Sequence, residues 1–236
     1  MDLTFIEKPK GADRDCFVYT AHSGLDLHSL ATLHSNVMWD QFGCDNDRSG
    51  DISDVYAPHT THVLTMIEGE VVAGVELVAY SALGLPINSW AEVGGMLRGN
   101  GRIVQCRRPV VRDGFRNKPL PELPFGAIGS LVKGCLQWSV LNDIHHVVVD
   151  VVDRDAAQFL GRIGFVPVIG TELSAGGQTL ELRVSELVSR SFRSTNPYFR
   201  YLMEFDESVQ VEIPRRPSVT LSTFETCSRG TTQCPS

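Results

Sequence analysis

The stretch RRPVVRDGFRNK (residues 107–118) sets Arg107, Arg108, Arg112, Arg116 and Lys118 against a single acid, Asp113, in a chain of formal net charge −7. FGAIGSL follows shortly after, with Gly126 and Gly129 opening a helical pattern. Glycines at a helix start let backbone N–H groups approach a phosphate, and the helix dipole favours negative charge there. Cationic island and glycine-led helix together predict an anion site. Taken alone, the island reads as a solvated edge strand and loop.

Other spacings approach familiar chemistry and miss it. In DNDRSGDISDVY (45–56), Asp45, Asp47, Ser49, Gly50 and Asp51 fall at the positions of a calcium loop. The twelfth position, which should be a bidentate Glu, is Tyr56, and Pro58 blocks the exit helix, so no calcium site is expected. His59 and His62 lie in a strand-like stretch without an H-E-x-x-H pattern. His145 and His146 are adjacent in a strand and so point to opposite faces, and zinc is not expected either. Ser130-Leu-Val-Lys133 matches S-x-x-K but lacks the companion motifs of serine acylases.

These residues need elements to position them. Asp26 to Phe42 carries Leu27, Leu30, Ala31, Leu33, His34, Val37 and Met38 at near-helical spacing, which predicts an amphipathic helix. THVLTMI and VVAGVELVAY flank an EGE turn (68–70) and predict a hairpin. RIVQCRRPVV (102–111) predicts a strand in which Pro109, lacking an N–H for the ladder, demands a bulge or an edge. Gly126 to Asn142 has Ile128, Leu131, Val132, Cys135 and Leu136 on one helical face. HHVVVDVV (145–152) has the nearly continuous apolar character of a buried strand, often a parallel one. DRDAAQFLGRI (153–163) predicts a short helix, and FVPVI with TLELRV around AGGQ a last hairpin. This order argues for one α/β domain with a mixed sheet over residues 1–213. Residues 214–236, rich in Pro, Ser and Thr, read as a flexible tail.

Composition narrows the class. At 236 residues, 42% hydrophobic and 21% charged, with 21 Gly and 12 Pro, the chain is globular, not collagen-like or wholly disordered. Its negative charge argues against nucleic acid or anionic membrane as partners. The apolar stretch from Val71 to Ile87 is broken by Gly74, Glu76, Gly84 and Pro86, too interrupted to span a bilayer. MDLTFIEKPK has no secretory-signal pattern, and six scattered cysteines without a C-x-x-C pair fit a reduced, cytoplasmic protein.

One segment is more specific. DRDAAQFLGRIGFVPV (153–168) resembles the N-x-x-A-x-x-L-Y-x-K-x-G-F segment of the GNAT acyltransferases, with Ala156, Phe159, Arg162, Gly164 and Phe165 in place. Asp153 stands at the Asn position and Leu160 at the Tyr position. VVRDGFR resembles the V-x-P-x-Y-R that precedes the pyrophosphate loop, although NKPLPELPF separates Arg116 from Gly126. Met38-Trp39-Asp40, the acidic loop after them and Val104-Gln105-Cys106-Arg107 resemble the branch of acyl-homoserine-lactone synthases and N-acyl amino acid synthases. The lactone synthases' strand Glu falls at Val104 here, and their third-strand Arg at Leu77.

The resemblance implies a GNAT-type α/β fold, with a mixed, mostly antiparallel central sheet flanked by helices and splayed between the fourth and fifth strands. It implies direct attack of an amine on a thioester held in that splay, with acyl-CoA or acyl-phosphopantetheine as co-substrate and no metal. Glu76, mid-strand among apolar residues, is the candidate base; with Cys106 and Arg107 as the other candidate catalytic residues, a bulge at Cys106–Pro109 frees backbone groups to meet the thioester, and Arg107 or Arg108 could instead anchor an acceptor carboxylate. Arg108, Val110, Arg112, Arg116, Lys118, Gly126, Gly129 and Ser130 form the expected cofactor-binding set. Trp39, Asp45 and Asp47 fall on the acceptor side. The expected acceptor is a small-molecule amine of specialised metabolism, and an acyl carrier protein is an alternative donor and partner. Two other readings stay open: a lactone-type signal synthase, and a non-catalytic module that binds an acyl thioester or its carrier.

Overall fold

The structure is a computed structural model that describes residues 15–42, 55–89, 102–116, 119–121, 123–172, 177–206 and 208–211, with 38–42, 88–89 and 169–172 described by backbone alone. Trp39's side chain, Asp45, Asp47 and Lys118 therefore lie outside it, as does the segment from 212 on. The strands are β1 (Cys16–Thr20), β2 (Thr60–Ile67), β3 (Glu70–Ala79), β4 (Ile103–Val111), β5 (His146–Val151), β6 (Val166–Glu172), β7 (Gln178–Arg183) and β8 (Val209–Gln210). They form one sheet in the order β6-β7-β5-β4-β3-β2-β1-β8. The pairs β4–β5 and β1–β8 are parallel and the other neighbours antiparallel, the mixed, mostly antiparallel sheet expected.

Helices cover both faces. On one face α1 (Gly24–Phe42) buries Leu30, Leu33 and Val37 against Leu64, Val71 and Val110. On the other, α2 (Gly126–Leu141), α3 (Arg154–Ile163), α4 (Val184–Arg193) and α5 (Pro197–Met203) share a core with Val63, Val75, Leu77 and Val104. Two glycines permit this closeness. A Cβ at Gly74 would run into Leu30 Cδ1, and one at Gly134 would meet Val18 Cγ1.

Local chemistry sets the ends of the elements. Ser23 and Asp26 cap α1 reciprocally, the Asp26 N–H donating to Ser23 Oγ at 3.1 Å and the Ser23 N–H to Asp26 Oδ2 at 3.0 Å. Glu68 (φ 52°) and Gly69 (φ 81°) make the tight β2–β3 turn, both on the positive-φ side that matches strand twist. Asp153 caps α3 by accepting from Asp155 N at 2.6 Å and Ala156 N at 3.1 Å, and Gly164 (φ 126°) ends it. The aspartate at the Asn position of the resembling segment is thus the cap of this helix.

β1, α4, α5 and β8 stand at residues 16–20 and 184–211, where the sequence pattern predicts no element. Side chains of α2 fix the last of these segments. Lys133, fully buried, places Nζ 2.7 Å from Asp206 Oδ2 and 4.6 Å from the centroid of the Tyr201 ring. Gln137 Nε2 donates to the carbonyls of Leu202 (3.4 Å) and Glu204 (3.0 Å). Among the described residues no helix is long and apolar enough to cross a membrane.

Two outcomes follow from this packing. Gly74→Ala should lower stability by about 1–3 kcal/mol, read by denaturant melts, because Leu30 must leave its place over β3. The Asp206 carboxyl is held below its ordinary value of 3.8: burial opposes this, but the Lys133 and Ser208 hydrogen bonds outweigh it. A depressed folded value stabilises above the unfolded value and loses that contribution as pH falls through the folded one. Asp206→Asn should therefore melt below wild type at pH 7, with the gap narrowing once pH drops under about 4.

Candidate active site

The parallel pairing of β4 with β5 runs from Ile103–His146 to Cys106–Val149 and stops, although β4 continues to Val111 and β5 to Val151. The cause is local to β4. Against β3, Glu76 pairs with Arg107 and Gly74 with Val110, so Val75 alone faces both Arg108 and Pro109. Arg108 takes a positive φ (50°), and Pro109 brings no N–H to the ladder. A bulge of this kind bends its strand and raises its twist, which parts β4 from β5 beyond Cys106.

Polar side chains flank the parting on the α1 face. In register, His62, Glu76 and Arg107 lie side by side across β2, β3 and β4. Continuing the β4–β5 register one step past its last pair, Cys106–Val149, sets Asp150 of β5 across the gap from Arg107; Asp150 pairs with Thr179 of β7. Glu76 is only 7% exposed. Its Oε2 accepts from Arg107 Nε at 2.5 Å and its Oε1 from Arg108 Nη1 at 3.3 Å. Alternation along a strand sends adjacent side chains to opposite faces, and the extra bulge residue is what lets both arginines reach one carboxylate. The Arg108 side chain keeps 47% of its surface exposed, against 17% for Arg107.

Two further groups complete this face. His34, one turn beyond Leu30 on α1, has a buried Nε2 with no hydrogen-bond partner among the described residues. Burial pushes its imidazole towards the neutral form, against the pull of Glu76 and with the help of Arg108 and His62. Asp150 Oδ1 accepts from Thr179 Oγ1 at 2.8 Å. Burial pushes the Asp150 carboxyl above its ordinary value, and the Thr179 bond pulls the other way. His34 was legible only as one position of a helical stripe, and nothing local to the sequence sets Asp150 opposite Arg107.

Cys106 points the other way, packed with Ala157, Leu160 and Phe165. Burial, aided by the Glu76 charge, pushes its thiol up to about 12, so it is a packed thiol and not a thiolate. Leu160, at the family's Tyr position, fills the same apolar cluster. Val110 is buried under α1 beside Leu30, leaving its backbone as the part that faces the bulge.

The cationic island sits at the far end of β4. Arg112 Nη1 lies 2.6 Å from Glu70 Oε2, and Arg116 Nε lies 3.2 Å from Asp113 Oδ1. Gly126 takes φ 70° at the head of α2, whose N-terminus has no side-chain cap. Gly129 serves packing, since a Cβ there would collide with Phe125 and touch Tyr198. Ser130 is fully buried, its hydroxyl 3.0 Å from that of Thr65 and donating to the Ala127 carbonyl at 2.7 Å. It joins α2 to β2 from inside the core.

A bulged fourth strand parting from a parallel fifth, in a mixed sheet covered on both faces, is the fold of the GNAT acyltransferases, and this chain has it. No protein-family model and no curated protein matches the sequence. FeeM, an N-acyl amino acid synthase from uncultured soil microbes, superposes with TM-score 0.59 at 14% identity, over 75% of this chain and 94% of that one. BjaI, a CoA-dependent acyl-homoserine lactone synthase, gives 0.53 at 16% identity over 85% and 95%. At such identities the likeness is one of fold.

The state of Cys106 can be checked directly. Iodoacetamide at pH 8 should leave Cys106 unlabelled in the folded protein and alkylate it in denaturant, as read by peptide mass spectrometry.

Proposed function

We propose that this chain is an N-acyltransferase, moving an acyl group from an acyl-CoA or acyl-carrier-protein thioester to the amine of a small molecule. The observation that carries the reading is the parting of β4 from β5 beyond Cys106, with Glu76, Arg107 and Arg108 gathered beside it. In this reading the thioester lies in the gap, and backbone groups spared from the ladder by the bulge receive the pantetheine arm and the thioester oxygen. Arg108, half-exposed, is suited to hold an acceptor carboxylate, and Trp39, Asp45 and Asp47 are assigned to the acceptor on the sequence resemblance alone. Arg112, Arg116 and Lys118 with the uncapped head of α2 take the donor's phosphates, displacing Glu70 and Asp113 from the arginines.

Glu76, first expected to be the base, has a guanidinium on each oxygen, which favours a positioning part in this reading. The lactone-synthase alternative draws no support from the core. Leu77 and Val104, where that branch carries its Arg and Glu, are fully buried in the apolar cluster on the α2 face.

The direct test is thiol release from octanoyl-CoA in the presence of each standard amino acid, with amide product identified by mass spectrometry. Release that depends on the amine is the expected result; none with any acceptor would leave a binding module. Glu76→Gln should lower kcat/KM about 10- to 100-fold while the ascending limb of the pH profile stays in place, because the residue positions two arginines and takes no proton. Neutralising Arg112 and Arg116 together should raise the donor KM, more at low salt than at high salt, since exposed charges are screened over about 8–10 Å near physiological ionic strength.

A further inference from the structure

We propose that Asp150 is the group that receives the acceptor amine and takes its proton, an assignment that rests on the acyl-transfer reading above. The register puts it there. Cys106–Val149 is the last pair between β4 and β5, so Arg107 and Asp150 are the first residues to face each other across the open gap. Strand alternation places Asp150 on the same face as Val148, which packs with Ile103, Leu85 and Ile87. That is also the face of Gln105, whose Oε1 accepts from the Ile87 N–H at 3.0 Å, and of Glu76 and Arg107. A thioester in the gap would therefore have guanidinium groups on one lip and a carboxylate on the other. The cationic lip suits the thioester oxygen or an acceptor carboxylate; the anionic lip suits an ammonium.

The Asp150 carboxylate is also the one available for this work. Each Glu76 oxygen already accepts from an arginine, whereas Asp150 takes one bond from Thr179 and a carboxylate has about four acceptor sites. The charged and titratable groups on the elements around it are Cys106, Arg107 and Arg108 on β4, His146 on β5, Glu181 and Arg183 on β7, and Arg154, Asp155 and Arg162 on α3. His146 Nδ1 is 2.6 Å from Glu181 Oε1, so those two engage each other. Partial burial moves the Asp150 carboxyl upward, in the direction a base near neutral pH requires.

The step balances as follows. The ammonium gives one proton to an Asp150 oxygen, and the nitrogen lone pair attacks the thioester carbonyl carbon to form the C–N bond. The tetrahedral intermediate collapses with cleavage of the C–S bond, and the second N–H proton goes to the departing sulfur. Amide and thiol leave, and Asp150 passes its proton to solvent.

The test uses the full chain, octanoyl-CoA and the amino acid that gives the fastest thiol release. Asp150→Asn should fold, as judged by its melting curve, keep the donor KM, lose about 10²–10⁴-fold in kcat and lose the ascending limb of the pH profile. Thr179→Val gives an independent reading. Thr179 donates to the ionised carboxylate, so its removal raises the carboxyl's proton affinity and should move the ascending limb to higher pH without abolishing turnover. An active wild type whose Asp150→Asn variant keeps kcat and the limb, or whose Thr179→Val variant leaves the limb unmoved, overturns the assignment alone. A wild type that releases no thiol with any amine overturns the acyl-transfer reading and this assignment with it.

Discussion

The molecule turns on one extra residue in β4. Between the pairs Glu76–Arg107 and Gly74–Val110 the fourth strand spends two residues where β3 spends one. Arg108 accepts a left-handed backbone there, which costs a residue with a side chain about 1–2 kcal/mol. The bend ends the parallel ladder at Cys106–Val149 and brings two neighbouring arginines to one face. Without it β4 would run on beside β5, and Arg108 would point into the apolar layer under α2.

Charge this close to a core persists only when it is matched. Glu76 at 7% exposure would be expensive alone, and two guanidinium groups offset its desolvation. The surroundings hold that arrangement rigid. On one face Leu30 presses on Gly74, one residue in register from the bulge, so α1 sits hard against the sheet beside the arginine–carboxylate cluster. On the other, Ser130 and Thr65 join α2 to β2, and Lys133 and Gln137 grip the chain from Leu202 to Ser208. The polar cluster thus lies between two packed layers, which hold its geometry.

The two ends of β4 have different electrostatic characters. Near the gap the cations face a buried carboxylate in a partly dry setting, where charge acts strongly and over short range. At the far end Arg112 and Arg116 lie at the surface with Glu70 and Asp113, where water and salt weaken each pair. One run of sequence, RRPVVRDGFR, therefore carries both two arginines fixed on a buried carboxylate and two in exposed, screened ion pairs.

Much of this was written locally in the chain. The period of apolar residues gave α1, α2 and the buried character of β5, and Pro109 alone was enough to demand a bulge or an edge, since a missing N–H breaks a ladder whatever surrounds it. Asp153 and Gly164 bounded α3 for equally local reasons. What the sequence could not contain is which residues meet across strands. Cys106 stands next to Arg107 in the chain yet faces the opposite layer, and Ser130, beside the glycines of a helix start, is spent on Thr65 inside the core. Asp150 and Arg107 stand apart in sequence and face each other across the gap only through register. Likewise β8, two residues long, exists because Lys133 and β1 hold it. Periodicity and capping are set within a few residues of chain. Register and burial are set by which surfaces the folded sheet brings together, and only the tertiary structure decides those.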